Sequence, residues 1–331
     1  MKQKCLTART NNIIMRMFIC LVIITFLLFG CGGQNAGDSE ENEGNGIPAA
    51  NPERPSLSEL RENWAWAVAE SDWELDTIGP KIKAEAYSSP EAWENLTLAT
   101  GAGGMAADVS YTGIEEATGE WFDGMYYAFF DNITGPVWTV SDKSELTDNN
   151  SIVLLPASFR SGLLALTPVE AEYEEIGGFW NHGHPAASEE DTKIIEASRK
   201  DGRKVMHSEL LATDGAGGRV SVFQFYNNSE EGLLAVAYIN GDSLIAYEKT
   251  AGIYGDKAYW RADMDDDDIG HFEVNMLCET DEGLVIATSW SAPEGCIQEI
   301  LVENGGRFVE FITDGWYFDI WDDTFYHSGG E

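Results

Sequence analysis

Leu233-Leu234-Ala235-Val236-Ala237-Tyr238-Ile239, followed at once by Asn240-Gly241, is the stretch on which the fold turns. Its apolar run is short enough for a strand and ends in the pair that most strongly signals a tight hairpin, because both central residues of such a turn need positive φ. The run is apolar at odd and even positions alike. A strand of that kind is buried on both faces, so its sheet needs neighbours on both sides.

Outward from this stretch, turn signals recur at Asn227-Asn228, Gly252, Asp281-Glu282-Gly283, Pro293-Glu294-Gly295 and Asn304-Gly305-Gly306. Between Arg219 and Thr313 they delimit eight apolar runs of five to eight residues, among them Val220 to Tyr226, Leu284 to Trp290 and Phe308 to Thr313. Short strands with short turns are an antiparallel meander. The runs divide into two sets of four, Arg219 to Ala262 and His271 to Thr313, each near 43 residues. Ala106 to Leu155 has room for another set, and Ser158 to Ala212 for one interrupted by a helix. Four-stranded sheets stacked face to face are what a β-propeller supplies. The expected fold is therefore mainly β: a meander of four-stranded sheets, propeller-like, with a β-sandwich or barrel as the alternative. No sequence signature recurs at a fixed place within the sets, which keeps that alternative open.

Two short helices are expected. Ser58 to Glu70 carries Leu60, Trp64, Ala67 and Val68 at helical spacing, with Ser56 or Ser58 as cap. Ser188-Glu189-Glu190-Asp191 is a cap with an acidic first turn. Ile194, Ile195 and Ala197 follow on one side, Arg199 and Lys200 form the basic end, and Gly202 is the stop.

The first thirty-one residues have a different character. Lys2, Lys4, Arg9 and Arg16 precede an apolar run from Met17 to Phe29, and no acidic residue occurs before Asp38. A positive segment, a short apolar segment and a small residue at the cut make a secretory signal. The run falls short of the ~20 residues that span a bilayer. Leu28-Phe29-Gly30-Cys31 resembles the lipobox of bacterial lipoproteins, with Phe29 bulkier than the usual residue at its place. That resemblance covers residues 1–31 only. It implies a signal peptide of residues 1–30, a diacylglyceryl thioether on Cys31 and an acylated (palmitate) or free amine at the new N-terminus. Two acyl chains satisfy the two-signal requirement for stable anchoring. The expected location is the cell membrane or outer membrane, on the extracytoplasmic side. Gly32, rather than Asp, follows the cysteine, so the inner-membrane retention residue is absent.

Residues 31–55 then read as a lipidated cysteine and an acidic, Gly- and Asn-rich tether with almost nothing to bury. Its 23 residues from Gly32 to Arg54 would reach about 80 Å extended and roughly 25–30 Å as a relaxed coil. Residues 56–331 are expected to be a single mainly-β extracytoplasmic domain. Loss of the signal leaves 16 of the 20 basic residues and all 57 acidic ones, which moves the net charge from −37 to about −41. Such a charge repels phosphates and excludes nucleic acid as a partner.

Of five cysteines, Cys5 and Cys20 leave with the signal and Cys31 carries lipid, so only Cys278 and Cys296 remain in the domain. They fall at opposite ends of the run Leu284 to Trp290, about 20 Å apart against a disulfide limit near 7 Å. Both are expected to be free thiols.

Two constellations have metal chemistry. Asp263-Met264-Asp265-Asp266-Asp267-Asp268-Ile269-Gly270-His271-Phe272-Glu273 offers the hard oxygen ligands that Ca²⁺ prefers. It resembles the Asp-x-Asp-x-Asp-Gly calcium loops of EF-hands and propeller repeats. However, Asp268 stands where the turn glycine belongs and Val274 holds the twelfth position, which excludes an EF-hand. What is left is a one-loop calcium site of Asp263, Asp265, Asp267 and Glu273, with a solvated acidic loop as the plainer reading. His182-Gly183-His184 puts two imidazoles on one side of an extended chain and is the second candidate metal pair.

Gly-x-Ser-x-Gly, a Walker loop and His-Glu-x-x-His do not occur. Gly101-Ala102-Gly103-Gly104 and Gly215-Ala216-Gly217-Gly218 lack the lysine and the strand-then-helix context of a phosphate cradle, so both read as turns. All eleven tryptophans and twelve tyrosines lie in the exported part, where the core of a β-fold accounts for aromatics at alternate positions. Trp316 to Tyr326, set among Asp314, Asp319, Asp322 and Asp323, is expected to pair with Lys81 to Tyr87 if a propeller closes. The functional expectation is a non-enzymatic, membrane-anchored lipoprotein presenting a binding or scaffolding β-domain to an extracellular protein or carbohydrate. A carbohydrate-active hydrolase using paired carboxylates is the alternative.

Overall fold

The computed structural model describes residues 54–72, 77–84, 90–118, 130, 133–141, 151–170, 172–176, 179–228, 230–254, 257–259, 272–292 and 295–317. Every element below belongs to the unit Asn51–Glu331.

The chain enters through helix α1 (Leu57–Glu62), whose cap Ser56 accepts from the Ser58 amide. A helix was expected to run on to Glu70. It stops at Glu62 instead, and Ala65–Asp72 is strand β1. The cause lies in Ala65-Trp66-Ala67-Val68-Ala69, where small and large residues alternate. Ala65, Ala67 and Ala69 join one interior cluster, while Trp66 and Val68 join others on the opposite face. A period of two that matches burial on two faces overrides a loose helical spacing.

β1 is the first stave of a closed barrel. With β2 (Thr77–Ala84), β3 (Leu96–Gly101), β4 (Met105–Glu115), β5 (Gly135–Val140) and β6 (Ile152–Pro156) it closes in the order β1-β2-β5-β4-β3-β6. Ala65–Ala67 pair with Leu154–Ile152 to seal it. The small interior holds alanines from β1, β2, β3 and β4 around Ile82, Leu96, Trp93 and Trp138. Trp93 comes from the short helix α2 (Pro90–Trp93), and the Trp138 indole donates to its carbonyl at 3.2 Å. The barrel is thus a filled core, with the one buried indole proton of Trp138 satisfied inside it.

Downstream come β7 (Leu166–Pro168), a separate hairpin of β8 (Glu172–Ile176) and β9 (Phe179–Gly183), and helix α3 (Glu189–Ser198). They are followed by β10 (Val205–Asp214), β11 (Arg219–Phe225), β12 (Glu231–Asn240), β13 (Ser243–Tyr254) and β14 (Lys257–Tyr259). These last five and β7 form a six-stranded sheet, β14-β13-β12-β11-β10-β7. β15 (Phe272–Thr280), β16 (Gly283–Ala292), β17 (Gly295–Glu303) and β18 (Phe308–Tyr317) form a four-stranded meander.

The layers follow from which side chains share a core. Val222, Val236 and Ile245 of the six-stranded sheet meet Phe272, Leu277, Ile286 and Leu301 of the four-stranded one. The opposite face of the four-stranded sheet, with Met276, Val285 and Ile300, packs on Trp66, Leu98 and Val153 on the outside of the barrel. The remaining face of the six-stranded sheet, with Phe223, Phe225 and Ala235, is covered by Ile195 of α3. β12 is therefore apolar on both faces because both are covered, as its sequence requires.

The chain is mainly β and antiparallel, and four-stranded β15–β18 matches the set His271 to Thr313. The set from Arg219 is extended to six strands by β10 and β7. The upstream set becomes the barrel, and Lys81–Lys83 pair with Thr139–Val137 of β5 rather than with the C-terminal strand. Trp316 and Tyr317 pair instead with Cys296 and Gly295 of β17. Gly252 is not a turn: it lies inside β13, paired with Glu231 on one side and Tyr259 on the other. The turn signals at Asn227-Asn228, Asn240-Gly241, Asp281-Glu282-Gly283 and Asn304-Gly305-Gly306 hold, and Pro293-Glu294 lies outside the described residues. Gly241, with φ 55°, opens the two-residue loop between Asn240 and Ser243.

Candidate functional site

Arg54 to Leu57 fasten the start of the described fold to the β15–β16 hairpin. Arg54 pairs with Glu279 at 2.7 Å, the Asp281 amide donates to the Pro55 carbonyl at 3.0 Å, and the Leu57 amide donates to Asp281 Oδ1 at 3.0 Å. Gly162 lies beneath this joint. A methyl group there would run into the Glu279 carbonyl and stand 2.8 Å from Pro55 Cδ and 2.9 Å from Cys278 Sγ. Beside the joint, Arg54, Ser56, Glu59, Ser158 and Arg160 line an open groove of about 630 Å³. Its side chains are engaged with one another or nearby: Ser158 Oγ donates to Glu59 at 2.8 Å, and Arg160 pairs with Asp108.

At the other end of β15, about 20 Å along the strand, a row of polar groups enters the layer between the four-stranded sheet and the barrel. Glu273 stands opposite Ser289, and the pairing register shifts between Val274 and Met276. That bulge, centred on Asn275, aims two consecutive side chains, Asn275 and Met276, into one layer. The Asn275 amide donates to Ser289 Oγ at 3.0 Å, and Ser289 Oγ donates to Glu273 Oε2 at 3.4 Å. Farther along the row, Gln298 donates to Ser151 Oγ at 3.1 Å. Asn275 is 0% exposed and Ser289 1%, yet Asn275 Oδ1 has no hydrogen-bond partner. Apart from Glu273, read from sequence as a candidate calcium ligand, only polar residues interrupting the apolar run of β15 mark this row in the primary structure.

Three carboxylates are buried among the described residues, and each faces a basic group. Asp191 of α3 receives two bonds from Arg219 Nε and one from Nη2, at 2.6–3.0 Å. Glu299 of β17 meets Lys249 of β13 at 2.9 Å across the two sheets. Glu209 takes the His207 ring at 3.2 Å.

Of the residues singled out from sequence, Cys31 and Asp263, Asp265 and Asp267 lie outside the described residues. Glu273 is the one member of that calcium set on a described strand. His182 sits in β9 opposite Tyr173. His184 Nδ1 donates to the Val169 carbonyl at 2.8 Å, which gives that ring a structural part in holding the edge of the sheet. Gly183, between the two histidines, is the residue of this segment whose Cβ direction faces Glu209. Among the described residues no three His, Cys, Asp or Glu side chains form a metal-binding group. Cys278 and Cys296 are free thiols. They stand opposite Val285 and Ser291 respectively, six positions apart on β16, which is about 20 Å.

No protein-family description, no curated protein and no solved structure matches this chain.

Proposed function

We propose that this chain is a lipoprotein, anchored through Cys31, that holds a β-rich binding module outside the cytoplasm for an extracellular protein or carbohydrate. The observation that carries the reading is the joint at Arg54–Leu57. A chain that transmits a pull from a membrane needs its point of entry fixed to the core. Here that point is held by an ion pair and two hydrogen bonds to a hairpin whose strands lie in the central layer. The order of charged, apolar and small residues before Cys31 and the acidic composition after it support the same reading.

The test has two arms. Cells fed an alkyne-tagged palmitate should label the native protein and not the Cys31→Ala variant. The purified protein should turn over none of a panel of chromogenic glycosides. An unlabelled native protein removes the anchor, and turnover replaces the binding module with the hydrolase.

A further inference from the structure

We propose that Tyr226, Met206 and His207 form a carbohydrate-binding platform at the rim of the six-stranded sheet, on the face turned toward the four-stranded one. The inference rests on the reading of the chain as a binding module and narrows its ligand to a neutral saccharide. Three large apolar side chains are exposed among the described residues: Ile114 at 58%, Tyr226 at 58% and Met206 at 39%. The backbone puts two of them side by side. Val205 stands opposite Phe225, and the Tyr226 amide donates to the Lys204 carbonyl at 2.9 Å, which carries the β10–β11 ladder one residue further. Phe225 and Val205 pack on the α3 side of the sheet, so Tyr226 and Met206, the next residue on each strand, point to the opposite face. The register shifts between Val205 and His207, and such a bulge turns two consecutive side chains, here Met206 and His207, to one side.

His207 is held from below. Its Nε2 donates to Glu209 Oε1 at 3.2 Å, with the imidazole 50% exposed and the carboxylate 2%. The second oxygen of Glu209 is buried and accepts no hydrogen bond among the described residues. A buried carboxylate with one oxygen unpaired costs stability, and such exceptions concentrate at functional sites. The chemistry of the exposed groups names the ligand. A tyrosine ring presents a flat, electron-rich face, which matches the side of a pyranose that carries its axial C–H groups. Met206 extends that surface with a thioether that adapts to uneven shapes. His207 adds a directed polar group, and an apolar surface with a few placed polar groups is how small ligands are held. A stable protein interface takes about 800 Å² per partner, more than one tyrosine, one methionine and one imidazole present. The net charge of −37 repels sulfated or phosphorylated glycans, which leaves neutral ones.

The test applies the full-length protein in detergent to an array of immobilised neutral oligosaccharides: glucans, mannans, galactans and N-acetylglucosamine oligomers. Unglycosylated proteins are spotted alongside. Native protein should bind at least one class of neutral oligosaccharide. Tyr226→Ala should weaken that binding roughly tenfold or more, as loss of an aromatic anchor does. Tyr226→Phe should weaken it by no more than about threefold, since the ring and not the hydroxyl stacks. His207→Ala should weaken it as well. Ile114→Ala, which removes the exposed apolar side chain of β4, should leave it unchanged. Each variant alters an exposed side chain, and an unchanged melting temperature separates lost binding from lost folding. No binding to any neutral oligosaccharide, or equal binding by native protein and Tyr226→Ala, would overturn the platform. Tyr226-dependent binding to the unglycosylated proteins in place of the sugars would assign the patch to a protein partner and overturn it too. None of these results bears on palmitate labelling of Cys31, so failure of the platform and failure of the anchored-module reading are told apart.

Discussion

Gly162 carries the joint between the entering chain and the sheet because only a hydrogen fits between Pro55, Cys278 and the Glu279 carbonyl. Its alanine variant must displace backbone, since the closest obstacle is a carbonyl and not the tip of a flexible side chain. Gly162→Ala should cost about 2–3 kcal/mol in urea unfolding. Gly215→Ala, at a turn with open space around it, should stay within about 0.5 kcal/mol. Equal effects would remove the special role of the joint. The neighbouring Cys278 thiol is pushed up to about 12 by burial, with the Glu279 carboxylate adding to the rise. Because folding raises this value, its contribution to stability is complete below the unfolded thiol's pKa of about 8.5. It is lost progressively as pH climbs from there toward the folded value. Native protein should therefore lose more stability between pH 8 and pH 11 than Cys278→Ala, and native Cys278 should resist thiol reagents that modify half-buried Cys296. That both cysteines are unpaired was readable from sequence, since strand length alone separates them.

At the level of elements, α3 shows how local rules and one long-range pair combine. Its cap and acidic first turn are written in Ser188 to Asp191, and Ser188 Oγ accepts from the Asp191 amide at 3.1 Å. What fixes the helix to the sheet is Arg219, 28 residues on, gripping Asp191, whose side chain is 0% exposed. Arg219→Met removes that cation and leaves a buried carboxylate unpaired, which should cost about 3 kcal/mol. The double variant Asp191→Leu with Arg219→Met should recover most of it, measured as a double-mutant cycle. A single-variant cost within about 0.5 kcal/mol would show that apolar packing of Ile195 alone holds the helix. The cap was legible because it is built from neighbours in sequence; the clasp was not, because no spacing relates Asp191 to Arg219. β1 failed the other way: Leu60, Trp64, Ala67 and Val68 matched a helical spacing, and only the narrow interior that takes Ala65, Ala67 and Ala69 shows which period counts. The bulge at Asn275 also escaped the sequence, since a register shift depends on the partner strand.

At the scale of the molecule, the barrel, the four-stranded sheet and the six-stranded sheet of the described residues share two cores, and the strands of the central sheet face both. Double burial was legible in Leu233 to Ile239, and so was the mainly β class. Barrel closure was not, because it rests on β1 meeting β6, more than eighty residues apart in sequence, and nothing local records such a pairing. Leu98-Ala99-Thr100-Gly101-Ala102-Gly103-Gly104 and Leu211-Ala212-Thr213-Asp214-Gly215-Ala216-Gly217-Gly218 both turn hairpins, one in the barrel and one in the six-stranded sheet. Their near-identity was hidden by the single inserted Asp214, whose carboxylate takes the Ala216 and Gly218 amides and the Tyr238 hydroxyl. The proposed function requires the domain to be held at a membrane through Cys31. Detergent-phase partitioning of the native protein against Cys31→Ser tests this most directly. Native protein should enter the detergent phase and Cys31→Ser should move to the aqueous phase with its melting temperature unchanged. Equal partitioning of the two would contradict the lipid anchor and the function built on it.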